Sequence, residues 1–94
     1  LKVEEKKIEK LGINISKSAN DDGVLVTKIE NPDSNLIIGD IITEINRENI
    51  SDLEGFSKLV NQIHKTGRSS LLLKIIREEQ SLWITIKFID NWVP

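Results

Sequence analysis

Apolar residues recur along this chain with two different periods. Ile13 to Ser16, Gly23 to Ile29 and Asp40 to Ile45 carry the short, alternating or β-branched runs of strands with one buried face. Val24 and Val26 share one such face. Leu71 to Arg77 and Leu82 to Ile89 repeat the pattern on either side of Glu78-Glu79-Gln80-Ser81, which predicts an antiparallel hairpin. In the second of these, Leu82, Ile84, Ile86 and Phe88 face one way and Trp83, Thr85 and Lys87 the other. Between the strand groups the period changes. Leu53, Phe56, Leu59, Val60 and Ile63 form a stripe at helical spacing, which predicts a helix to about Lys65.

Local signals set the ends of these elements. Ser51-Asp52-Leu53-Glu54 fits a capping box with Ser51 as its first residue. Gly67 is a natural left-handed stop, and Lys65 suits the negative end of the helix. Gly55 lies inside the helix at a cost of roughly 1 kcal/mol against alanine, which calls for close packing. Ser18 to Gly23 and Asn31-Pro32-Asp33-Ser34 read as a loop and a turn, and Asn46-Arg47-Glu48-Asn49 as a tight hairpin. Lys2 to Lys10 is charged, with Val3, Ile8 and Leu11 spaced for a short helix or an extended arm, and 90–94 reads as a tail. The sum is one small α+β domain over residues 1–94: a partly open antiparallel barrel or sandwich of five or six strands, capped by one helix.

Composition narrows the function. The 94 residues carry 13 basic and 15 acidic side chains, a net charge of −2 with no basic stripe, which argues against a nucleic-acid surface. Cysteine is absent and His64 is the single histidine, so no thiolate or zinc cluster is expected and no metal or cofactor is implied. No nucleophile-elbow motif accompanies the scattered serines and aspartates, which speaks against catalysis in this segment. No apolar run is long enough to span a bilayer. The chain opens on Leu1 and is read as a segment of a larger protein.

The stretch with most chemical content is Lys10-Leu11-Gly12-Ile13-Asn14-Ile15. A turn with glycine at its bend can aim successive amides at an anion, and the strand behind it can offer its margin to a peptide. In this reading Phe56 and Val60 sit at the rim of a groove between strand and helix.

These motifs resemble the PDZ family. Lys10-Leu11-Gly12-Ile13 stands where that family has its carboxylate-binding loop. Leu36-Ile37-Ile38-Gly39-Asp40-Ile41-Ile42-Thr43-Glu44-Ile45-Asn46 resembles its Leu-x-x-Gly-Asp-x-Ile-x-x-Val-Asn segment. Asn46 to Ser51 and Leu72 to Arg77 are similar to the C-terminal, second PDZ domain of Do-like periplasmic serine proteases, with the permuted strand order of bacterial members. One departure is Asn31 to Leu36, too short for the small helix usual before the Gly-Asp step.

The resemblance implies a non-catalytic domain that binds apolar C-terminal or unfolded segments by strand addition, between residues 13–16 and 53–65. Its site residues would be Lys10, Leu11, Gly12, Ile13, Asn14, Ile15, Phe56, Val60, Ile63 and His64. Leu11, Gly12 and Ile13 would hold the terminal carboxylate, with Lys10 adding charge. Leu11, Ile13, Ile15, Val60 and Ile63 would take the last side chain, and Phe56 the one two residues earlier. The parent would be a periplasmic serine endopeptidase. The alternative is an oligomer-assembly or regulatory domain with little peptide binding of its own.

Overall fold

The computed structural model describes residues 5–17, 23–31, 34–50 and 52–89. They form β1 (Glu5–Ile8), β2 (Ile13–Lys17), β3 (Val24–Ile29), β4 (Ile41–Ile45), β5 (Glu48–Asn49), α1 (Leu53–Lys65), β6 (Ser70–Arg77) and β7 (Gln80–Lys87). One antiparallel sheet runs in the order β1-β2-β3-β4-β6-β7, with the short β5 beside β4. The α+β architecture of the sequence reading holds, with more strands than the five or six expected.

The extra strand is β1. Its sequence, Glu-Lys-Lys-Ile, has no strand periodicity, and only Ile8 is buried. Its extended state comes from pairing with β2, where Ile8 stands opposite Ile13 and Glu5 opposite Ser16. The helix alternative for residues 2–10 therefore fails over Glu5–Ile8. Residues 1–4, most of the Ser18 to Gly23 loop and the 90–94 tail lie outside the described residues.

The core is aliphatic apart from Phe56 and gathers the inward residues of every long strand with Phe56, Val60 and Ile63 of α1. Leu53 and Leu59 pack against it while half-buried. β3 and β4 approach closely at Gly23, where an added Cβ would fall 2.1 Å from the Ile42 carbonyl oxygen and where φ is +89°. No L side chain suits that position.

One local correction and two local features have simple causes. The helix is capped by Asp52, one residue after the expected Ser51. Its carboxylate accepts from the Gly55 N–H at 2.7 Å, and Ser51 itself is outside the described residues. This also accounts for Gly55, since a Cβ there would stand 2.8 Å from the Asp52 oxygen. The short segment 34–40 contains no helix, as the departure from the family pattern implied. Its Asn35 amide instead donates to the Thr85 carbonyl on β7.

The β6–β7 hairpin turns on Glu78 and Glu79, both left-handed at φ 52° and 67°. Two-residue turns of this kind favour Asn-Gly, because L side chains cost roughly 1–2 kcal/mol each in that region. The double substitution Glu78→Asn with Glu79→Gly is expected to raise stability by about 1–2 kcal/mol, read as a higher urea midpoint at unchanged slope.

Candidate functional site

The turn between β1 and β2 is built by its carbonyls. The Lys10 carbonyl accepts from the Ile89 N–H at 2.7 Å. That of Leu11 accepts from the Asn31 side-chain amide at 3.0 Å. That of Gly12 accepts from the N–H groups of Glu30 and Asn31 at 2.7 and 3.1 Å. A trans peptide unit points its N–H opposite its C=O. Anchoring three successive carbonyls on the β3 and β7 side therefore turns the amides of Leu11, Gly12 and Ile13 to the other side. Gly12 permits this with φ +67°, and a Cβ there would collide with Ile89 at 2.3 Å.

These amides do not face open space. The Leu11 and Gly12 N–H groups both donate to the Ile8 carbonyl oxygen, at 3.1 and 2.8 Å. The margin of β2 expected to be free is paired with β1 along Glu5–Ile8. The expectation of an unpaired strand margin is therefore corrected: the domain's own backbone covers it. The reason is covalent proximity, since a four-residue turn returns the preceding segment directly onto β2.

The residues named from sequence divide into three groups. Leu11, Ile13, Ile15, Val60 and Ile63 do come together, in one buried cluster that also holds Ile8. Phe56 is in the same cluster but wholly buried, as is Val60, so neither forms a rim. Lys10 and Asn14 remain partly exposed beside the turn and on β2. His64 is exposed at the end of α1, its ring set edge-on to Phe88 at 4.8 Å. It lines a separate cleft with Gly67, Arg68, Ser69, Phe88 and Ile89.

Several contributors escaped the sequence reading. On α1, Ser57 and Asn61 line a cleft of about 300 Å³ with Lys6 to Lys10. They are polar and off the hydrophobic stripe, so periodicity passed over them. Asn31 looked like a turn residue, yet its side chain bridges Leu11 to Lys87 and sets the turn. On the outward face, Glu5 accepts from Thr27 at 2.7 Å and Asn14 at 3.0 Å. Lys7 approaches Glu30 at 3.6 Å, an exposed pair of small energetic weight.

The Thr27 hydrogen bond, then that of Asn14, lowers the Glu5 carboxyl below its ordinary 4.5, with Lys28 helping. A lowered folded pKa means that this contact stabilises above the unfolded value and is lost as pH falls through the folded one. In a carboxyl NMR titration the Glu5 midpoint is expected below 4.5. Thr27→Val should move it up more than any other single change, because the threonine bond is the largest cause.

Among the described residues no cluster of three or more metal-ligating side chains occurs, and no helix is long and apolar enough to cross a membrane.

Comparison with known proteins identifies the family. Residues 10–88 match the PDZ domain family model. A probable periplasmic serine endoprotease, DegP-like, of Rickettsia conorii is 29% identical over 65 residues, covering 69% of this chain and 13% of that protein. The protein of the same description from Brucella suis is 25% identical over 84 residues, covering 84% of this chain and 16% of its own. The chain thus spans about one-seventh of the length of these relatives. A match over residues 10–88, nearly the whole described fold, makes this chain a member of the PDZ family.

Proposed function

We propose that this is a non-catalytic, peptide-binding PDZ domain of a Do-like periplasmic serine protease. Its guest is a C-terminal segment with an apolar last residue, added as a strand along β2 beside α1. One observation carries the reading. The carbonyls of Lys10, Leu11 and Gly12 are all anchored on the far side of the turn, and the amides of Leu11 and Gly12 converge on one oxygen, the Ile8 carbonyl. That arrangement suits a carboxylate, and its hydrogen bonds would be charge-assisted.

The guest's last side chain enters the aliphatic cluster of Leu11, Ile13, Ile15, Val60 and Ile63, which favours valine, isoleucine or leucine. Burying it contributes roughly 1.5–3 kcal/mol. With carboxylate and strand bonds added and ordering costs removed, affinity falls in the micromolar range, about −8 kcal/mol. Unlike the sequence reading, which gave Phe56 to the side chain two residues earlier, that position faces Ser57 and Asn61 and favours a polar group.

The test is a titration of one peptide ending in isoleucine, as the free acid and as the amide. The acid is expected to bind at least tenfold more tightly, and equal affinity would remove the carboxylate role. The occupied margin of β2 supports a second reading, an assembly or regulatory contact with little independent peptide binding. Under it neither peptide binds, and solution mass rises in the longer protein instead.

A further inference from the structure

β1 lies where that guest would lie. It runs antiparallel to β2, with Lys6 opposite Ile15, Lys7 opposite Asn14 and Ile8 opposite Ile13. Residues facing each other in an antiparallel pair share a face. Lys6 and Ile8 therefore point with buried Ile13 and Ile15, and Glu5 and Lys7 point outward over β2 and β3. Ile8 fills the place of a guest's last side chain, and its carbonyl takes the Leu11 and Gly12 amides. Glu5, three residues earlier, is held by Asn14 and Thr27. The hold is narrow, because Glu5, Lys6 and Lys7 are exposed and Ile8 alone is buried.

We infer that β1 is a displaceable internal occupant of the peptide groove, and that the guest replacing it is a chain terminus with an aliphatic last residue and a carboxylate side chain three residues before it. This rests on the peptide-binding reading above. Such a guest inherits the main contacts that hold β1: the aliphatic site, the turn amides and the two donors of Asn14 and Thr27. It also adds what β1 lacks. A free carboxylate brings a full charge and a second oxygen to amides that now share one neutral carbonyl. β1 answers with its tether, which holds it at high effective concentration. Apparent affinity is then the intrinsic affinity multiplied by the fraction of molecules with β1 released.

The experiment measures fluorescence anisotropy of a labelled peptide ending Glu-Lys-Lys-Ile as free acid, with a Gln-Lys-Lys-Ile control. The proteins are the 94-residue chain, its Ile8→Asp variant, and the double variant Glu5→Cys with Ser16→Cys, a pair that stands opposite across β1 and β2 and leaves Asn14 and Thr27 in place. The chain has no cysteine of its own, so oxidation of that cross-strand pair locks β1 and reduction frees it.

Ile8→Asp is expected to bind roughly tenfold or more tightly than the unchanged chain. The oxidised lock should abolish binding and reduction should restore it. On the Ile8→Asp protein the Glu peptide should bind several-fold more tightly than the Gln peptide. Equal binding to locked and reduced forms overturns the gate and leaves peptide binding standing. Equal affinity for the Glu and Gln peptides overturns the carboxylate rule. A folded Ile8→Asp variant that binds neither peptide overturns both this inference and the function it rests on. If Ile8→Asp does not fold, the lock alone decides the gate.

Discussion

Replacing Phe56 with alanine is expected to lower the unfolding free energy by about 4 kcal/mol, within the roughly 3–5 kcal/mol typical of buried phenylalanines. The ring is wholly inaccessible and is the largest fully buried side chain of the core. It lies on the α1 stripe with Val60 and Ile63, within the aliphatic cluster. Removal loses the transfer energy of the ring and leaves a cavity that rigid strands on the opposite wall cannot close. A domain of this size commonly has only about 5–15 kcal/mol of stability in total, so the variant would be partly unfolded at moderate temperature. Urea denaturation followed by tryptophan fluorescence measures it, as a lower midpoint at constant slope. Leu59→Ala, at a half-buried neighbour, should cost clearly less. Were Phe56 a groove-rim residue, the change would leave the midpoint nearly in place and alter peptide affinity instead.

Asp40→Ala is expected to cost about 3 kcal/mol, at the lower end of what breaking a buried ion pair costs. Asp40 is buried. Its two oxygens take the Arg77 Nε at 2.9 Å and the Arg77 terminal nitrogen at 2.7 Å, a bidentate fork. One of them also accepts from the Ile37 N–H at 2.8 Å, closing the turn before β4. The same Arg77 nitrogen donates to the Asn35 carbonyl. Asp40 thus ties the 35–40 turn to the end of β6 through a single guanidinium. Its hydrogen bond, then its charge, holds the arginine pKa above the ordinary value, against desolvation. Arginine stays charged at any working pH, so truncating Asp40 strands a cation. The figure stays near the low end because Arg77 keeps part of its surface in water and can rehydrate. Arg77→Met in the Asp40→Ala background should recover part of the loss. A double-mutant cycle then separates the pair from the Ile37 contact, which Asp40→Ala removes in either background.

The periodicities carried most of the architecture. Helix α1 begins and ends where the stripe and Gly67 place it, because an amphipathic helix repeats every few residues and a left-handed glycine ends it. The β6–β7 hairpin shows its alternation directly, down to exposed Trp83 and buried Ile86. The Gly-Asp step was visible as a motif, but its cause was not. Arg77 lies 37 positions away, and nothing local announces that the two side chains meet. The N-cap was misplaced by one residue because Ser51 and Asp52 are both good caps, and only the path of the entering chain chooses between them.

The candidate site divides in the same way. Leu11, Ile13, Ile15, Val60 and Ile63 were readable because burial writes itself into residue type. Asn31, Ser57, Asn61 and Thr27 were not, because Asn31 and Thr27 act through distant partners and Ser57 and Asn61 lie off the apolar period. Glu5 to Ile8 is the sharpest case, since a segment with one aliphatic residue in four has no reason of its own to be a strand.

The sequence by itself determined which residues seek the interior, where helix and hairpins run, and that a glycine-bent turn leads into β2. Only the tertiary structure decided what lies against the free side of that turn and strand. Side-chain pattern specifies the faces of a strand, whereas its margins are main-chain donors and acceptors that every residue carries alike. Which chain satisfies them depends on what the fold brings alongside, and here that is β1.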